Sequence, residues 1–392
     1  MKLGIFFLVI AYVLSQFYRA FLAVLSPVLG VEIGATPGDL ALSSGLWFLS
    51  FALMQIPVGW ALDTLGPRRT AAWLLGLAGG GGAILFALAQ NPMHIHAAMI
   101  LIGIGCSPVL MASYYIFGRM YPARVFATLA AAIIGFGTLG NLAGAYPLAW
   151  AAETFGWRQS VGVLAGITLL VALALWRFVQ DPPAVTGAGT EKGSLLDVLK
   201  IRALWLIFPL MFVNYVPAAG MRGLWAGPYF ADVYGADAIG IGRATLFMAL
   251  AMVIGSFAYG PLDRIFGTRK WVVLGGNLLG AGSMLALWAF PTAGYWPATV
   301  LLAGVGLFGA TFPVIIAHGR SFFPPHLLGR GVTLMNLFGI GGVGVMQAVS
   351  SRVHASVSPV PVEAPYQAIF LLFGGLVIAG SVIYLFSQDR TD

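Results

Sequence analysis

The chain reads as an all-α membrane protein, with twelve transmembrane helices in two pseudo-symmetric six-helix halves. Three observations predict this. Of the 392 residues, 59% are hydrophobic and 8% charged, whereas a soluble domain carries about 25% charged residues. The apolar residues fall into twelve runs of about 20, the length a helix needs to cross the hydrocarbon core. Short sequence patterns also return after 200 to 205 residues.

In chain order the runs are 4–30, 41–62, 71–89, 96–117, 126–150, 159–179, 204–230, 240–262, 271–290, 297–317, 332–353 and 366–386. The first begins like a signal peptide, with Lys2 before Leu3–Leu14. It outlasts a signal h-region and shows no small-x-small cleavage site, so it reads as a retained first helix. Pro27, Pro217 and Pro228 lie inside long runs and predict kinks. The 52 glycines fit helices packed closely through small residues. One cysteine, Cys106, excludes an intramolecular disulfide and a Cys-based metal cluster. It reads as packing in the fourth run.

The halves are predicted as 1–180 and 203–392, joined by a polar linker, 181–202, that opens Asp181-Pro182-Pro183. Within the linker, Ser194–Lys200 is suited to a short interfacial helix. The repeat is visible after the second and eighth runs. Asp63-Thr-Leu-Gly66-Pro-Arg68-Arg69 is answered by Asp263-Arg264-Ile-Phe-Gly267-Thr-Arg269-Lys270. Gly118-Arg119 is answered by Gly319-Arg320. The G-x-G-x-x-G patterns Gly135–Gly140 and Gly339–Gly344 lie in apolar helices rather than after strands. They read as close-packing or bending glycines, not dinucleotide loops. Tandem halves of six helices imply a binding site between them.

The net charge of +7 is spread in twos and threes at run ends, not as a stripe, so no nucleic-acid partner is expected. If the N-terminus is cytoplasmic, fifteen of the twenty basic residues fall on the cytoplasmic side. Three fall outside, Arg158, Arg243 and Arg352. The bias predicts both termini inside, in a bacterial inner membrane. The remaining two, Arg19 and Arg222, lie inside the first and seventh runs, 203 residues apart. An arginine in hydrocarbon costs at least a few kcal/mol and marks a functional site by default. It also cannot shed its proton. Two guanidiniums, each with fixed donors and permanent charge, suit a carboxylate, phosphate or sulfonate. If instead they bond backbone carbonyls or snorkel to an interface, they are structural.

Gly59-Trp-Ala-Leu-Asp63-Thr-Leu-Gly66-Pro-Arg68-Arg69 resembles the loop signature of the major facilitator superfamily, and the twelve runs and 6+6 repeat extend the resemblance over essentially the whole chain. It implies a transporter, not an enzyme, working by rocker-switch alternating access. It also implies that Asp63, Gly66, Arg68, Arg119, Arg124 and Asp263 form a cytoplasmic latch. The paired arginines resemble the organophosphate and organic-anion members. Phe17–Leu29 and the loop are similar to bacterial importers of the riboflavin and copper group.

Arg19 and Arg222 are therefore the candidate anion clamp. Tyr18, Trp225, Tyr114, Tyr115, Asn141, Tyr215, Asn336 and Gln347 are candidate substrate contacts, and each amide is as well suited to joining helices. Trp47 reads as packing or an interfacial anchor. Met248 and Met252 are one turn apart, a weak Cu(I) pattern. No Asp or Glu lies mid-run, and His94, His96, His318, His326 and His354 are peripheral along the chain. Exchange, facilitated flow, or symport in which the substrate carries the proton fits this best. The expected protein is a monomeric carrier of a small organic anion without cofactor or metal. Its partners are the lipid bilayer, the anion, and for coupling a proton or a counter-substrate. Two other readings are an importer of an aromatic vitamin such as riboflavin, or of Cu(I), and an anion receptor that does not transport.

Overall fold

The computed structural model describes residues 2–121, 123–182, 195–324 and 328–390; the side chains of Asp63 and Arg124, both expected in the latch, lie outside the described residues. The described residues are helical with no strand among them. Ten helices are long and apolar enough to cross a membrane, eleven when the bent pair Leu3–Phe17 and Leu22–Ile33 is one span. The twelfth expected span, the seventh in order, is broken. It runs as Phe208–Asn214, Val216–Gly220, a π-helical Met221–Trp225, and Ala226–Tyr234. Pro209, Pro217 and Pro228 each begin or enter one of these pieces, since a proline removes a hydrogen bond and crowds the preceding turn.

The chain forms two compact units, Met1–Gly187 with Asp237–Arg243, and Ala188–Ala236 with Ala244–Asp392. In the first unit, span one bends by 51° at 18–21. There the N–H groups of Arg19 and Ala20 donate three residues back, to Gln16 and Phe17, instead of four. That tightening marks a local 3₁₀ turn. Span one ends at Gly34 in the left-handed conformation, φ +66°. A capping box between Thr36 and Asp39 starts span two. Span three, Pro67–Ala87, carries a π segment at Leu74–Gly80. A Cβ on Gly105 of span four would overlap the backbone of Gly79, so these helices touch backbone to backbone.

Span one packs on spans five and six, span two on four, and span three on four and six. The second unit repeats most of this pattern. Span seven packs on eleven and twelve, and span nine, Lys270–Ala289, on ten and twelve. The repeated glycine pattern works as packing in both units. A Cβ on Gly140 of span five would overlap the Val13 carbonyl, and one on Gly342 of span eleven the Phe212 carbonyl. Leu77, Leu170, Phe257 and Val300 are among many large apolar side chains left exposed, as expected of surfaces that face lipid. In the linker region a five-residue helix covers Leu195–Leu199.

Candidate functional site

In the first unit Arg19 occupies the bent turn of span one and is 8% exposed. Its guanidinium carbon lies 5.3 Å from the ring centre of Trp47 and 4.9 Å from that of Phe51. The two rings, one turn apart on span two, stack at 5.1 Å. They form an aromatic floor beneath a desolvated cation, worth about 2 kcal/mol. Among the described residues no carboxylate pairs with Arg19, and its Nε is buried without a hydrogen-bond partner. A buried permanent charge with an unspent donor is chemically suited to an anionic partner. Trp47 and Phe51 were not among the expected site residues. Their i, i+4 spacing was readable, but not the span they would face.

The expected neighbours divide. Tyr18 is fully buried, and its hydroxyl shares a 2.9 Å hydrogen bond with Thr168 of span six, so it braces the bend that carries Arg19. Tyr114 and Tyr115 on span four are half-buried. Arg119 lies over the Tyr115 ring at 4.7 Å. Asn141 on span five is 8% exposed, and its Oδ1 has no hydrogen-bond partner.

In the second unit Arg222 lies in the π-helical turn of span seven and is 2% exposed. Trp225 closes that turn. Its indole N–H donates to Ser350 Oγ at 2.9 Å, and its ring stacks on His354 at 4.9 Å. Tyr366 of span twelve meets both rings edge-on. Span eleven carries Asn336, Gln347, Ser350 and His354 at spacings that put them on one helical face. Gln347 is fully buried with both amide atoms unpartnered, and Asn336 is half-buried. Tyr215 stands at a break in span seven, half-buried, with its ring 5.6 Å from Phe312. Beside it, Asn214 donates to Asn277 (2.7 Å) and Thr311 (2.9 Å), which ties spans seven, nine and ten together. Met248 and Met252 pack around Gly306 of span ten, which accounts for them as close packing.

The loop after span two turns at Gly66 with φ +86°, a conformation open mainly to glycine. Arg68 follows it on the first turn of span three. Its backbone N–H donates to Asp181 Oδ1 at 2.8 Å, its Nε is 3.4 Å from Oδ2, and its guanidinium lies over Trp176. Asp181, just past span six, thus caps the positive N-terminus of span three. The second unit repeats the device. Asp389, past span twelve, accepts from the backbone N–H groups of Arg269 (3.2 Å) and Lys270 (3.1 Å) at the start of span nine. Partial burial works to raise the Asp389 carboxyl. The hydrogen bonds from Thr268, Lys270 and Arg269 outweigh it and hold the group below its ordinary 3.8. Arg269 Nε also lies 3.3 Å from Asp263. Asp181 and Asp389 were missed because their partners are more than 100 residues away in sequence.

Two helical units, each with a buried arginine in a broken first span and a charged loop at the start of its third, define a polytopic membrane protein of the carrier type. The sequence profile of the Major Facilitator Superfamily matches residues 8–242 and 211–392, and the chain belongs to that superfamily: it is a transporter and not an enzyme. A sialic acid transporter of Escherichia coli K12 is 22% identical, with 96% of this chain and 94% of the relative covered. A D-galactonate transporter of Escherichia coli O6:H1 is 29% identical over 45% of this chain and 40% of its own length. The crystal structure of a D-xylose-proton symporter superposes with a TM-score of 0.79 at 15% identity, covering 98% of this chain and 97% of that one. This last likeness bears on the fold.

Proposed function

We propose that the protein imports a small organic anion, a carboxylate, phosphate or sulfonate, across a bacterial inner membrane, with both termini cytoplasmic. Arg19 and Arg222 hold the anionic group between the halves 1–180 and 203–392, which rock about it while the linker 181–202 joins them. Asn141 offers an unpartnered amide oxygen and Gln347 a free amide to the polar body of the substrate. Trp225, Tyr215, Tyr114, Tyr115 and Asn336 complete the walls, and Tyr18 keeps the Arg19 bend in place. Asp63, Gly66, Arg68, Arg119, Arg124 and Asp263 form the cytoplasmic latch, with Asp181 and Asp389 as its anchors.

The observation that carries this reading is Arg19, 8% exposed on an aromatic floor, with no carboxylate beside it among the described residues. The named relatives support the substrate class, since sialic acid and galactonate are both carboxylates at neutral pH. The test is a melting-temperature screen of purified protein against sialic acid, galactonate, a sulfonate, an organophosphate and neutral xylose. At a hundred times its dissociation constant a ligand adds about 2.7 kcal/mol to the folded state. An acid is expected to stabilise the wild type and not the Arg19→Ala/Arg222→Ala double variant. Equal stabilisation of both proteins would remove the arginines from the site.

A further inference from the structure

His354, peripheral along the chain, is not peripheral in space. Its ring stacks on Trp225, which closes the turn carrying Arg222, and meets Tyr366 edge-on at 5.2 Å. Its Nε2 is buried and has no hydrogen-bond partner. Tyr366, 1% exposed, donates its hydroxyl proton to the Asp232 carboxylate. Asp232 itself is exposed, near the end of span seven. An exposed carboxylate, a buried phenol and an imidazole with a spare nitrogen thus lead from the surface to the segment that holds Arg222. The other ionisable groups around this path are few. Tyr229 packs on Tyr366, and Tyr234 on Tyr229. Arg352 is two residues away on the same helix, and Glu363 caps span twelve.

We infer that His354, with Asp232 as its counter-charge and Tyr366 between them, is the proton-binding site that couples uptake of the anion to entry of a proton. This rests on the organic-anion reading above. The physics is linkage. A protonated imidazole adds a second positive charge beside the segment of Arg222, which favours an anion there; a bound anion favours the protonated ring by the same factor. Proton and anion then load together, and an acid of charge −1 crosses as a neutral pair. No carboxylate inside a span is needed, so a sequence without one still supports proton coupling.

Two measurements test this on the full chain. In nanodiscs with ¹⁵N-labelled histidine, the His354 signal is the one missing from His354→Gln. It is expected to titrate between about pH 5 and 8, and at lower pH in Asp232→Asn. A ring that stays in one state across that range overturns the inference, whether or not any acid is carried. In proteoliposomes, sialic acid and galactonate are the probes. A gradient of one pH unit sustains up to about a tenfold accumulation for one proton per acid. The wild type is expected to approach this. His354→Gln should fall to equal concentrations on both sides while keeping counterflow exchange at saturating acid. Accumulation by His354→Gln equal to the wild type overturns the inference. If the wild type carries neither acid, the transport reading fails, and the titration alone decides whether His354 binds the proton.

Discussion

The two buried arginines occupy unlike surroundings. Arg19 rests on Trp47 and Phe51, and among the described residues no carboxylate pairs with it. Arg222 shares its π-helical turn with Trp225, and through it adjoins His354, Tyr366 and Asp232. The first surrounding offers fixed charge and apolar walls; the second adds ionisable side chains. A repeated architecture therefore carries a division of labour. On the proposed reading, the first half supplies constant affinity for an anion and the second half the response to protons.

This comparison is broken most directly at the arginines. Arg19→Leu or Arg222→Leu should abolish uptake while leaving the melting temperature unchanged or raised, because each removes a desolvated cation that the fold alone does not need. A purely structural arginine would show the opposite, a lower melting temperature with transport retained in the surviving protein. Next in size is the aromatic floor. Trp47→Leu should weaken anion affinity about tenfold, the scale of a desolvated cation–π contact of 1 to 2 kcal/mol. The matching change at Trp225→Leu should instead alter the pH dependence of uptake, because it removes the ring that stacks on His354. Equal pH profiles in the two variants would erase the proposed division.

Much of this was legible in the sequence, and what was not has a common cause. Hydropathy located the spans because lipid forces every backbone group into a helix. Both arginines stood out because charge inside an apolar run is costly, and the loop stood out because its pattern returns 200 residues on. Hydropathy does not report where a helix breaks, so span seven was read as one kinked helix and not as four pieces around a π turn. Nor does it report which way a side chain points. Trp47 read as packing until span two placed it under Arg19. His354 read as peripheral until spans seven and twelve closed over it. Arg68 read only as one member of the latch, and its contact with Asp181, 113 residues on, was not visible in the loop pattern. Local pattern gives elements, and contacts between distant elements give chemistry.

The smallest effects belong to the two caps. Asp181→Ala should lower stability by about 0.5 to 1 kcal/mol, the range for a half-exposed ion pair and a lost helix cap. Asp389→Ala should do the same with a pH signature. Its carboxyl is held below 3.8 in the fold, so its contribution is present above that value and fades as pH falls through the depressed one. Melting curves of wild type and Asp389→Ala should therefore differ at neutral pH and converge in acid. A difference that persists unchanged to low pH would show that the carboxylate is not the stabilising species.

The central claim is that two arginines hold an organic anion for transport. Uptake of radiolabelled sialic acid and galactonate into proteoliposomes, with xylose as the neutral comparison, tests it most directly across wild type, Arg19→Gln and Arg222→Gln. The account predicts saturable uptake of at least one acid by the wild type, none of xylose, and loss of acid uptake in both variants at normal reconstitution levels. Acid uptake that survives in either variant, or uptake of xylose in place of the acids, would contradict it.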